Sequence, residues 1–153
     1  MIKPPFSHSF FISFHLADPG GILFFGHAFS LTHQAFELFV VHALEYSWND
    51  WFEHPDWIVP IRHTEADYVH PIKAGRDCAI EVAVTSLSNS SFTLRSTLHQ
   101  STLCCTVKTV HLFLDRKTGK KIDIPSHLRD KLLGYLYPHL TDRDGDLGSR
   151  PKL

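Results

Sequence analysis

The spacing of apolar positions changes character several times along the chain, and each change marks an element. Over residues 28–44 apolar side chains return at intervals of three and four, with Leu31, Ala35 and Leu38 on one row and Ala28, Phe36, Phe39 and Ala43 on another. The polar remainder is a thin stripe of His33, Gln34 and Glu37. A helix with so little polar surface must be covered on most sides. At about 1.5 Å per residue it is roughly 25 Å long, which predicts the centre of the domain with a sheet wrapped round it. Elsewhere the period falls to two. Cys78, Ile80, Val82 and Val84 share one face of a strand. Phe92, Leu94 and Leu98 face inward on the next, and Cys105, Val107 and Phe113 on a strand spanning 103–115. Short links through Ser88-Asn89-Ser90 and Gln100-Ser101 predict an antiparallel meander. Two further strands are expected at 7–16 and 57–68. The second turns polar at His63, Glu65 and Asp67 and so reaches a solvated or inter-subunit surface. Residues 125–137 predict a last helix, capped by Ser126, with Leu128, Leu132, Leu133 and Leu136 on its apolar side.

Residues 1–140 thus form a single α+β domain, and the polar, glycine-containing stretch 141–153 is expected to be a flexible tail. The aromatic-rich connection 45–57 carries all three tryptophans, whose expected role is to pack the open end of the sheet or a subunit contact. A formal net charge of -1 gives no electrostatic case for nucleic-acid or membrane partners. Three cysteines without Cys-x-x-Cys spacing argue against a disulfide framework or a thiolate zinc site. No apolar run reaches the length of a bilayer span. A cytoplasmic protein is expected.

One stretch combines turn residues with chemistry. Asp18-Pro19-Gly20-Gly21 ends the first strand, and Ile22-Leu23-Phe24-Phe25-Gly26-His27 leads into the long helix. The first N–H groups of a helix lack intrahelical partners and carry partial positive charge. A carboxylate standing opposite them could drive attack on an activated acyl group whose oxygen rests on those amides. Taken locally, Asp-Pro-Gly is ordinary turn chemistry, and Asp18 reads as a turn residue. The buried helix that follows shifts the balance.

The segment Asp18-Pro19-Gly20-Gly21-Ile22-Leu23-Phe24-Phe25 resembles the active-site segment of the 4-hydroxybenzoyl-CoA thioesterase family, and His33-Gln34-Ala35-Phe36-Glu37 resembles its central helix. Asp67-Tyr68 with Pro71 and Gly75, then Ser91-Phe92, Thr118-Gly119-Lys120 and Ile124-Pro125, extend the likeness over roughly residues 7–137. The resemblance implies a hot-dog fold, a curved antiparallel sheet around a central helix, assembled as a homodimer that pairs into a homotetramer. It implies hydrolysis of an acyl-CoA thioester, with Asp18 as nucleophile or general base and the Phe25 backbone N–H holding the thioester oxygen. Coenzyme A belongs to the substrate, and no separate cofactor is implied. Among subfamilies, the helix and overall length are most similar to 1,4-dihydroxy-2-naphthoyl-CoA hydrolases of quinone biosynthesis, which implies an aromatic acyl group. Two positions depart from the pattern: Leu16 stands where many relatives carry a second acid, and Phe24-Phe25 replaces a Tyr-led pair. Glu37 is the reserve catalyst, because some hot-dog thioesterases use a helix glutamate. Gly26, His27, Ser90 and Ser91 are candidates for substrate contact, and Arg95 and Arg116 for the CoA phosphates.

Other chemistries find less support. Twelve histidines show no His-x-x-x-His, His-x-His or His-Glu-x-x-His spacing, so no metal site is expected. The Gly-x-Ser-x-Gly elbow of serine hydrolases is absent. Two alternatives remain open: a hot-dog dehydratase acting on enoyl or hydroxyacyl thioesters, and a non-catalytic acyl-CoA binding module.

Overall fold

A computed structural model of the chain describes residues 1–140; the tail expected at 141–153 lies outside the described residues. Five strands form one antiparallel sheet in the order β1-β4-β5-β6-β3. They are β1 (Phe6–Phe11), β3 (Ile61–Tyr68), β4 (Asp77–Leu87), β5 (Ser91–His99) and β6 (Leu103–Leu112). The meander β4-β5-β6 occupies the middle, as its short turns require. β1 closes one side by pairing Phe6 with Val82, and β3 forms the other edge by pairing Tyr68 with Cys105.

Helix α1 (His27–Leu38) packs against β4 and β6. Ala28, Leu31, Ala35 and Phe36 are buried on it, and Phe39 and Val40 carry the buried row onward. The predicted helix 28–44 is continuous, but its last turn, Phe39–Ala43, is π-helical, and the Leu44 N–H reaches back to the Phe39 carbonyl at 3.0 Å. Glu45 then adopts φ 53, a left-handed conformation that cannot prolong the helix.

Several expected boundaries shift for identifiable reasons. The strand expected at 57–68 is broken at Pro60, which has no N–H to give to a ladder. It becomes the short β2 (Trp57–Ile58) and β3. The strand expected at 103–115 breaks at Phe113, whose N–H turns to the Ser90 carbonyl; beyond it β7 (Leu114–Asp115) pairs with β2. Strand 7–16 ends at Phe11, and Phe14–Leu16 is a 3-10 turn. Helix α3 (Ser126–Leu133) has Pro125 at its cap, so Ser126 is the first helical residue rather than the cap, and Leu133 is exposed. The aromatic connection holds a short helix α2 (Trp48–Phe52), capped by Ser47 Oγ accepting from the Asp50 N–H. Trp51 and Trp57 are buried against Phe113 and Phe92 in edge-to-face and tilted contacts, which close one end of the sheet. Trp48 stays outside that cluster, exposed.

Candidate active site

The Asp18 segment folds as a tight hairpin. The Asp18 N–H donates to the Ile22 carbonyl at 2.8 Å, and the Gly21 N–H to the Asp18 carbonyl at 3.0 Å. Gly21 sits at φ 77, a conformation that costs an L side chain strain, so glycine is required there. The hairpin continues as a ladder in which Ala17 bridges Leu23 and the Phe24 N–H donates to the Leu16 carbonyl at 2.9 Å. A second support comes from the β3–β4 connection: the Leu23 N–H donates to the Ile72 carbonyl at 2.7 Å. That connection is itself clamped, because the Gln100 side chain accepts from the Lys73 N–H and donates to the Lys73 carbonyl, both at 2.8 Å.

Asp18 keeps its turn role and has an oxygen to spare. Its Oδ1 accepts from the Gly20 N–H at 2.8 Å and from the Ile22 N–H at 3.4 Å, while Oδ2 has no partner among the described residues. A Cβ at Gly20 would stand 3.1 Å from Oδ1, so glycine there leaves room for the carboxylate. The turn bonds therefore orient the acid rather than consume it.

At the far end of the ladder the chain enters α1 through a tight turn in which the His27 N–H donates to the Phe24 carbonyl at 2.9 Å. The N–H groups of Phe25 and Gly26 have no acceptor among the described residues. The Tyr68 hydroxyl, at the end of β3, donates to the Phe25 carbonyl at 2.5 Å. That bond fixes the peptide plane that carries the Gly26 N–H. Partial desolvation of the hydroxyl, with Cys105 nearby, shifts the Tyr68 pKa above its ordinary value of 10.0, so the group is a protonated donor. Asp18 faces Ile22 at the turn, and Phe25 lies three residues further along, so the acid and the helix-start amides stand at different levels of the hairpin. His27 opens the helix with its ring 5.7 Å from that of Phe24.

The remaining sequence candidates lie elsewhere in one chain. Ser91 pairs with Leu112 and the Ser90 carbonyl accepts from Phe113, at the end of β5 away from the Asp18 hairpin. Arg116 lies beyond β7, its Nε donating to the His54 carbonyl at 2.6 Å. The nine residues of β5 put that end roughly 30 Å from the hairpin. Arg95 stands mid-strand between Ala83 and Lys108. Glu37 is ten residues, roughly 15 Å, along α1 from His27, and its Oε1 lies 3.5 Å from His33 Nδ1. No group of three or more His, Cys, Asp or Glu side chains able to hold a metal occurs among the described residues. No helix there is long and apolar enough to cross a membrane.

A further feature involves none of these candidates. A cavity of about 170 Å³ opens between α1 (Phe29, Thr32, Phe36) and the sheet (Leu94, Thr109, His111). His111 is fully buried, its ring 4.7 Å from Phe92 and nearly parallel to it, with Phe36 4.4 Å away. Burial, with the nearby His33, lowers its pKa to about 3, so the ring is neutral. Its signal lay in the parity of β6: Thr109 and His111 continue the inward row of Cys105 and Val107.

Comparisons with known proteins agree with this architecture. Residues 13–132 match the Thioesterase-like superfamily. The chain is 31% identical over 123 residues to a 1,4-dihydroxy-2-naphthoyl-CoA hydrolase from Synechococcus elongatus, covering 79% of this chain and 90% of the relative. Among solved structures, the Synechocystis 1,4-dihydroxy-2-naphthoyl-CoA thioesterase superposes with a TM-score of 0.77 at 18% identity, covering 84% of this chain and 95% of that one. A Staphylococcus aureus protein solved in complex with CoA gives 0.76 at 14% identity, covering 88% and 85%. With most of its length matched and the sheet order described above, the chain belongs to the Thioesterase-like superfamily as a hot-dog thioester hydrolase.

Proposed function

We propose that this chain hydrolyses an aromatic acyl-CoA thioester with Asp18 as its catalytic carboxylate. Asp18 either attacks the thioester carbonyl, giving a mixed anhydride that water then hydrolyses to free the acid and restore the carboxylate, or takes a proton from water that attacks the carbonyl directly. The Phe25 N–H, with that of Gly26 beside it, receives the carbonyl oxygen as it gains charge. The CoA thiolate leaves and takes up a proton, and no cofactor beyond the CoA of the substrate is needed. The observation that carries the reading is the hairpin. It carries a carboxylate with one uncommitted oxygen at its turn and leads into the start of α1, where two amides have no acceptor among the described residues. A positioned base contributes about 10²–10⁴ in rate, and an oxyanion donor about 3–4 kcal/mol. The acyl group named for the Synechococcus relative, 1,4-dihydroxy-2-naphthoyl, is the first candidate, which would place the reaction in quinone biosynthesis in the cytoplasm.

The site is completed by a second copy in this reading, as a homodimer that assembles further into a homotetramer. Phe14, Phe24, Phe25, Tyr68 and Val69 are all exposed around the hairpin end, and Phe14 is 87% exposed. Uncovered aromatic surface of this kind marks an interaction site. β3 is an edge strand. Antiparallel pairing of two β3 edges would bring the Ser90, Ser91 and Arg116 end of one copy toward the Asp18 end of the other, with Arg95 and Arg116 available to the CoA phosphates.

The test is release of free thiol from a panel of aryl- and alkyl-CoA esters. Faster release from aryl esters than from alkyl esters is expected. Stoichiometric binding with no thiol released would make the protein an acyl-CoA binding module, and water addition to an enoyl ester would make it a hydratase.

A further inference from the structure

The cavity beside α1 contains two polar atoms with nothing to bond. Thr32 Oγ1 and His111 Nδ1 are both buried and unpaired, although both residues line the cavity. Thr32 is 3% exposed and His111 not at all. His111 Nε2 is occupied by Thr109 Oγ1 at 2.9 Å, which holds the ring by its opposite edge. Leaving a buried donor or acceptor unmatched costs about 1–3 kcal/mol, so such groups are few in native proteins and call for a reason.

The rest of the wall narrows what could match them. Phe29, Phe36 and Leu94 make it apolar and partly aromatic. Its volume of about 170 Å³ is close to the roughly 150 Å³ of an apolar cavity that admits one benzene ring. The unpaired atoms ask for a small group that can both donate and accept. If Nε2 carries the His111 proton, Nδ1 accepts; if Thr109 donates to Nε2, Nδ1 donates. A hydroxyl serves either tautomer. Position supplies the link to the chemistry: Phe29, the first wall residue, is one helical turn, roughly 6 Å, beyond Phe25, whose N–H is the proposed oxyanion donor.

We propose that this cavity is the seat of one hydroxylated aromatic ring of the acyl group, with Thr32 and His111 bonding the ring hydroxyl and thereby selecting hydroxyaryl over plain aryl thioesters. The proposal rests on the aryl-thioesterase reading above for its catalytic consequence, but the cavity can be tested without any thioester. A site built to bond a substrate hydroxyl rejects the analogue lacking it, because its own buried groups are then stranded.

The experiment has two arms. In the kinetic arm, kcat/KM is measured for benzoyl-CoA and its three mono-hydroxylated isomers with the native protein, Thr32→Val and His111→Phe. The native protein is expected to favour one hydroxylated isomer by about tenfold or more, and each variant to bring that ratio within about threefold. Thr32→Val keeps the side-chain shape, so it carries the test if His111→Phe does not fold. In the binding arm, phenol and benzene are titrated into the native protein labelled with ¹⁵N at histidine. Phenol is expected to shift the His111 Nδ1 resonance and benzene to leave it in place. If phenol gives that shift and no aryl-CoA ester is hydrolysed, the cavity assignment stands and the aryl-thioesterase reading falls. If both variants keep the native hydroxyl preference, or phenol leaves His111 unmoved, the assignment is overturned. Equal effects of phenol and benzene would mean the polar pair serves internal water alone, and would overturn it too.

Discussion

Two regions flank the start of α1, and they are built in opposite ways. The Asp18 hairpin is held by backbone: Asp18 to Ile22, Phe24 to Leu16 and Leu23 to Ile72. Its carboxylate, Asp18, is anchored by amides of its own turn. The cavity beside Phe36 is held by side chains from α1, β3, β5 and β6, and its His111 ring lies against those of Phe36 and Phe92. A backbone-built site tolerates side-chain change around it and depends on turn geometry. A side-chain-built cavity tolerates little at its walls but can be altered without moving the main chain.

The contrast can be broken most severely at Asp18. Asparagine keeps an acceptor oxygen for the Gly20 and Ile22 amides, so the hairpin should survive. In thiol-release assays Asp18→Asn should lower kcat by about 10²–10⁴ with an unchanged melting temperature. Native turnover in that variant would remove the hairpin from the chemistry.

The next largest effect belongs to the cavity wall and is read in stability. The folded pKa of His111 is lowered from 6.5 to about 3, so the unfolded chain binds the extra proton between those values. Stability contributed by the neutral ring is therefore complete above about pH 6.5 and is lost as the pH falls toward 3. Each pKa unit corresponds to about 1.4 kcal/mol, so the loss amounts to several kcal/mol at the acid end. Denaturant melts at stepped pH should show this slope in the native protein and a flatter one in His111→Phe. Equal slopes would mean the ring is accessible to protons in the fold.

Smaller changes separate turn geometry from positioning. Gly21→Ala forces a Cβ into the left-handed region and should cost about 1–2 kcal/mol of stability, measured by denaturant unfolding. Tyr68→Phe removes the bond to the Phe25 carbonyl and leaves Asp18 alone. A net hydrogen bond is worth about 1 kcal/mol, so kcat/KM should fall about fivefold. An unchanged value would free the Phe25–Gly26 peptide of any dependence on β3.

The same contrast explains what could be read from residues alone. The Asp18 segment was legible because its information is local: a carboxylate, a proline, two glycines and a helix start within ten positions. The long helix and the central meander were legible because their apolar periods are regular. Thr109, His111 and Ser96 were passed over because a polar side chain on a strand suggests an outward face. All three are buried, and His111 lies against Phe36 and Phe92, residues that no local pattern in β6 brings to it. Tyr68 appeared as a landmark near the end of β3, while its bond to Phe25 spans 43 positions and follows from the sheet order alone. Pro60 was visible, but the division it makes, β2 paired with β7 on one side and β3 with β6 on the other, follows from the sheet order.

That proline also bears on solubility. An edge strand with free hydrogen-bonding groups invites endless addition of further strands, the route to fibres. Pro60 ends β3 with a residue that has no amide proton to offer, and His63, Glu65 and Asp67 stud the eight-residue segment with polar or charged groups. Whatever docks on this edge meets a short ladder with a hard stop, so growth should halt at small closed species rather than run on into filaments.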